Sequence, residues 1–165
     1  MNQWLYILEA SYIIFRLPPY YNNFGKHLIK SPKLYFTEPG LAAWLLGIET
    51  PEQILRDPLP GHLFENMVIV EALKSRYNAG KEPNLYFWRD NNGNEIDLLM
   101  ERQRTLFPIE IKSSRAWNQI FLKQIKHFQR TIPVAKSGTV IYAGEDNLNF
   151  DDQRAIPYDS SHAYY

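Results

Sequence analysis

Residues Asn84 to Ser114 constrain the fold more than any other part of this chain. They hold three runs rich in aromatic and branched residues, separated by Asp90-Asn91-Asn92-Gly93 and by Glu101-Arg102-Gln103-Arg104-Thr105. Asn-Gly between such runs is a strong hairpin signal, so the stretch predicts three consecutive antiparallel strands near 84–90, 94–101 and 106–113. Side chains on a strand alternate between its two faces. On the third strand Ile109 and Ile111 should therefore share one face, and Glu110 and Lys112 the other. On the second, Ile96 and Leu98 should alternate with Asp97, placing a carboxylate beside the Glu-x-Lys pair. Two carboxylates and a lysine on neighbouring strands suit a divalent cation and a phosphodiester.

The flanking segments predict the layers that enclose this sheet. His62 to Tyr77 reads as the longest helix, and Glu65 shares a helical line with Val68, Ile69 and Ala72. Its carboxylate should thus point along an apolar face, where it needs a hydrogen bond, an opposite charge or a cation. Trp117 to Arg130 reads as another helix, with Gln124 on its apolar stripe between Phe121 and Phe128. Gly138 to Ala143 is a fourth strand and Ala155 to Tyr158 a fifth, followed by a frayed tail at 159–165.

The first third is organised differently. Gln3 to Ser11 is a short amphipathic helix, Tyr12 to Leu17 a strand stopped by Pro18-Pro19, and Asn22 to Gly25 a turn. Lys33 to Thr37 is the returning strand. This helix-and-hairpin order resembles the last helix and wing of a winged-helix module without its earlier helices. Pro39 to Gly47 reads as a short buried helix with a glycine cap, and Pro51 to Arg56 as one further turn. The break at Pro58-Leu59-Pro60-Gly61 suggests a boundary between lobes at 1–57 and 58–165.

Composition excludes several chemistries. The chain has no cysteine, which removes disulfides, thiolate metal sites and cysteine nucleophiles. Glu9 and Arg16 interrupt the first apolar run, unlike a secretory leader, and no apolar run is long enough to span a bilayer. A soluble, cytoplasmic protein is expected. A phosphate-binding loop is missing, because the Gly25-Lys26 pair has Tyr20 at the first glycine position and His27 at the last. This chain therefore holds no ATP site. The four histidines have no zinc spacing, and His127 reads as structural. Tyr86 and Trp88 could stack on bases, although alternating aromatics in a strand more often form core. Formal net charge is zero, but no acid occurs between Ala10 and Thr37 or between Ile111 and Gly144. Two basic stretches flanking carboxylates suit a polyanion such as DNA.

Glu65, Asp97, Glu110-Ile111-Lys112 and Gln124, in this order on these elements, resemble the active-site pattern of the PD-(D/E)XK nuclease superfamily, in its archaeal Holliday-junction-resolvase and RecB-like branch. Ile96 stands where the motif's name places proline. Across most of the chain, the stretch from Ile7 to Ile48 followed by Gly61 to Lys74 is similar to the uncharacterised C-terminal region of bacterial and archaeal predicted ATPases. In those proteins an AAA+ module and a winged helix precede it. The resemblance implies an α/β (α+β), restriction-endonuclease-like fold, a mixed sheet flanked by helices, and magnesium held by Asp97, Glu110, Glu65 and the Ile111 carbonyl. It further implies Lys112 on the attacking water or the phosphate, and Gln124 orienting either from behind. DNA and the ATPase module would be its partners. A catalytically inactive regulatory or interaction module, and a DNA-binding module using the wing, are the other readings.

Overall fold

A computed structural model of the protein describes residues 2–21, 31–50, 53 and 60–165. The turn expected at Asn22 to Gly25 and most of the helical turn expected at Pro51 to Arg56 lie outside those residues. The chain opens with helix α1 (Asn2–Ala10) and the antiparallel pair β1 (Ile14–Leu17) and β2 (Lys33–Phe36), in which Ile14 faces Phe36 and Leu17 faces Lys33. Helix α2 (Pro39–Leu45) follows, then the long helix α3 (Pro60–Asn78), which begins two residues earlier than expected.

Six strands form one mixed sheet: β3 (Leu85–Arg89), β4 (Glu95–Arg102), β5 (Thr105–Lys112), β6 (Gly138–Tyr142), β7 (Leu148–Phe150) and β8 (Gln153–Pro157). Their order is β3-β4-β5-β6-β8-β7. The first three are the expected meander, whereas β5 pairs with β6 and β6 with β8 in parallel. Every residue of β6 is buried, the pattern of a central parallel strand covered on both faces. Helix α3 covers one face, packing Val68, Ile69 and Ala72 against Leu98, Met100, Ile109 and Ile111. Helix α4 (Lys123–Thr131) covers the other, packing Ile125 and Phe128 against Trp88, Leu99 and Val140. Trp88 stands edge-on to Phe128 and is core.

Four local expectations need correction. Helix α2 forms and ends at Gly47 (φ +72°), the left-handed cap that glycine tolerates, but it is not buried. Only Ala42 turns inward, and Trp44 is 71% exposed. The helix expected from Trp117 starts later, with a 3-10 turn at Gln119–Leu122, because the Asn118 side chain caps the Ile120 amide at 3.0 Å. Trp117 itself stacks on Phe150 of β7, a strand the sequence reading missed. The tail is packed rather than frayed: Tyr158–Ala163 forms a 3-10 turn, Ser161 is buried, and Tyr165 lies against the α3 side of the core.

The last correction bears on the site. Between β3 and β4, Tyr86 faces Leu99 but Trp88 faces Ile96, so Asp97 and Leu98 together lie across from Phe87 alone. This bulge breaks the alternation. Ile96 consequently packs on the α4 face and Leu98 on the α3 face, rather than both on one.

Candidate functional site

Pairing of β4 with β5 is registered from Arg102↔Thr105 to Leu98↔Ile109, where the bulge begins. Just beyond that point an Asp97 side chain, rather than a strand carbonyl, accepts from the Ile111 amide at 2.9 Å. Ile109 and Ile111 lie in the α3-side core as the alternation on β5 requires, while Glu110 and Lys112 meet on the other face. The Lys112 ammonium is 2.7 Å from Glu110 Oε2 and 3.7 Å from Asp97 Oδ2. A cavity of about 700 Å³ opens here, and Glu65, Asp97, Glu110, Lys112 and Gln124 all line it. Helix α3 supplies the first and helix α4 the last. Of the expected site residues only Ile111 points elsewhere, into the core, and its amide is the group tied to Asp97.

Glu110 is the most enclosed of the described acids, 2% exposed. Burial first, and then the neighbouring Asp97 charge, push its carboxyl up to about 8, against the pull of Lys112. Burial also raises Asp97, which Lys112 lowers and Glu65 raises further. For Lys112 burial works against the charge, but Asp97 and Glu110 outweigh it and hold the ammonium protonated above its ordinary value. Two acceptors remain unanswered: Glu110 Oε1 and Gln124 Oε1 are buried with no hydrogen-bond partner among the described residues. Unsatisfied buried acceptors are rare and costly. A protonated carboxyl, a donor on a ligand or a cation would satisfy them, and the oxygen-only donor set of Asp97, Glu110 and Gln124 suits a hard divalent cation.

Glu65 sits in the cavity but takes a different partner from the one expected. Its Oε1 accepts from Tyr35 Oη at 2.5 Å and from Lys33 Nζ at 3.0 Å, both on β2. Lys33 also pairs with Glu95, which pairs in turn with Arg89. The cavity thus holds two ion-paired sets: Lys112 with Asp97 and Glu110, and Lys33 with Glu65 and Glu95. Among the described residues, no three His, Cys, Asp or Glu side chains converge as a metal-binding group. Burial opposes the Lys33 charge, but Glu65 and Glu95 raise its affinity for the proton above the ordinary lysine range. Burial and the adjacent Glu65 likewise keep the Tyr35 phenol protonated. Sequence reading missed Lys33, Tyr35, Glu95 and Arg89. Glu95 could have been found, since it lies two residues before Asp97. Lys33 and Tyr35 alternate on β2, but nothing local says what that strand packs against.

Away from the cavity, His127 Nε2 lies 3.3 Å from Asp90 and its ring lies near Trp88, a structural setting. No described helix is long and apolar enough to cross a membrane.

Residues 60–160 match the family model of a domain of unknown function, DUF4143, and residues 1–52 that of another, DUF8612. An uncharacterised protein of Mycobacterium tuberculosis is 28% identical over 160 residues, covering 96% of this chain and 34% of its own length. An uncharacterised protein of Mycobacterium bovis matches at the same identity and coverage. The chain therefore spans about a third of the length of these curated relatives. No solved structure matches it.

Proposed function

The chain belongs to the DUF4143 family over residues 60–160, and we propose that the cavity built by this span is a divalent-cation-dependent site for cleaving phosphodiester bonds in DNA. In this reading the domain has a PD-(D/E)XK core and works in the cytoplasm beside an AAA+ ATPase module. Relatives about three times as long leave room for such a module.

The observation that carries the reading is the pair of unanswered acceptors, Glu110 Oε1 and Gln124 Oε1, beside the Asp97 carboxylate at the fork between β4 and β5. Asp97 and Glu110 would hold magnesium, with the Ile111 carbonyl as a third oxygen. The ion would neutralise charge on the phosphate and lower the proton affinity of water. Lys112, held charged by both carboxylates, would donate to the attacking water or to a non-bridging phosphate oxygen as negative charge grows there. Gln124 would orient that water or phosphate with its amide, and Glu65 would complete the acidic set.

One observation favours a second reading. Lys112 at 2.7 Å already gives Glu110 an ion-pair partner from within the protein, as a non-catalytic regulatory module would have it. Calorimetric titration of the protein with Mn²⁺ or Mg²⁺, and incubation with plasmid DNA, separate the two. We expect binding and cleavage that Asp97→Ala abolishes while circular dichroism stays unchanged. No binding at millimolar metal would establish the non-catalytic module and overturn ours.

A further inference from the structure

A lysine from outside the family span enters this site. Lys33 belongs to β2, within residues 1–52, yet its ammonium bridges Glu65 on α3 and Glu95 on β4. Its position is built rather than incidental. Among the described residues the strand carrying it pairs only with β1, and its other edge has no sheet partner. The Asn66 side chain takes the place of a strand there: its Oδ1 accepts from the Phe36 amide at 2.9 Å and its Nδ2 donates to the Phe36 carbonyl at 2.8 Å. One residue along α3, Glu65 receives Tyr35 and Lys33. Tyr35 also belongs to the α3-side core, packed on Phe15, so the hairpin is anchored by burial and by hydrogen bonds together.

The consequence concerns Glu65. Both donors from β2 fall on a single oxygen of this carboxylate, and they draw it into the Lys33–Glu95 set rather than toward Asp97 and Glu110. A positive charge fixed in the cavity also repels any cation that enters. We propose that Lys33 is a positioning residue that withholds Glu65 from the Asp97–Glu110 pair, so that the N-terminal hairpin sets the divalent-cation affinity of the cavity. This inference rests on the cation-binding reading given above. It makes the hairpin a control element: whatever draws β2 away from α3 releases an acid to the metal and removes a competing charge at once.

The test is Mn²⁺ binding, read by calorimetry and by the electron paramagnetic resonance signal of the free ion, with folding checked by circular dichroism. Lys33→Met should bind about tenfold more tightly than the wild type, since it removes a half-buried like charge from the cavity and frees Glu65 from its ion pair. Lys33→Arg, which keeps the charge, should bind like the wild type. Adding Glu65→Gln to Lys33→Met should cut the gain back to the part that loss of the lysine charge gives by itself. A purely structural lysine would give loss of binding with loss of fold, and no dependence on Glu65. An unchanged or weakened affinity in folded Lys33→Met overturns the inference, as does a gain that Glu65→Gln leaves undiminished. If Asp97→Ala binds as tightly as the wild type, the cation-binding reading fails by itself, whatever Lys33 does. If no variant binds Mn²⁺, both fall.

Discussion

Replacing Glu110 by Gln should flatten the dependence of stability on pH. The wild-type carboxyl lies 2% exposed, next to Asp97, and its proton affinity is raised from 4.5 to about 8. A group whose folded value exceeds its unfolded one holds its proton longer in the native state. The native state thus binds more protons than the unfolded chain between those two values, and stability falls as pH rises through that window. Each unit of such a difference corresponds to about 1.4 kcal/mol, so ionising the pair between pH 5 and pH 8 should cost at most roughly 4 kcal/mol. Asp97 titrates with Glu110, so the loss belongs to the pair rather than to either acid. The substituted amide would mimic the protonated carboxyl at every pH. Urea unfolding at pH 5, 6.5 and 8 measures the effect. We expect wild type and Glu110→Gln to be of similar stability at pH 5, and the variant to be more stable by about 2–4 kcal/mol at pH 8. Parallel profiles for the two proteins would show that Lys112, 2.7 Å away, fully compensates the buried charge, and the reasoning would be refuted.

Asn66→Ala removes both hydrogen bonds to the Phe36 peptide and should cost about 2 kcal/mol in urea unfolding. Amide exchange should accelerate first in β1 and β2; a loss shared evenly across the sheet would contradict the docking role given to Asn66. Gly138→Ala should destabilise by about 1–3 kcal/mol through overpacking. A Cβ there would come within 2.2 Å of Ile125 Cγ2, where helix α4 lies on β6; thermal melting that leaves the midpoint unmoved would show that α4 can retreat at no cost.

How much of this was legible in the sequence depended on the range of the signal. The β3–β5 meander was readable because Asn92-Gly93 and the alternation of Ile109, Glu110, Ile111 and Lys112 are local. So was the meeting of Asp97, Glu110 and Lys112, which needs only that two consecutive strands pair. Helical spacing turned Gln124 and Glu65 inward, the family resemblance put them in the site, and both line the cavity. The bulge at Asp97 was not legible, because it is a mismatch between two strands and leaves no mark on either. Strand β7 escaped because Leu148–Phe150 is three residues long and gains stability only by pairing with β8 and by stacking Phe150 on Trp117. The exposure of Trp44 likewise reflects where α2 sits, a tertiary outcome that its apolar composition could not reveal.

The partner of Glu65 was the least readable feature, and the reason is physical. A half-buried carboxylate on an apolar helical line must find a donor, but the sequence does not say which. The break at Pro58 to Gly61 invites the expectation that the donor lies after it, within the same lobe. Several kinds of contact cross that seam instead. The Phe87 amide donates to the Pro18 carbonyl at 3.0 Å and the Phe87 carbonyl accepts from the Tyr20 amide at 2.7 Å, so the chain after β1 covers the edge of β3. Asn66 completes the edge of β2, and Leu17 and Tyr35 join the same core as Val68 and Ile109. An exposed sheet edge is a liability, and each part here covers one belonging to the other. With those edges matched, the angle at which β2 crosses α3 is fixed, and Lys33 has one place to go: between Glu65 and Glu95.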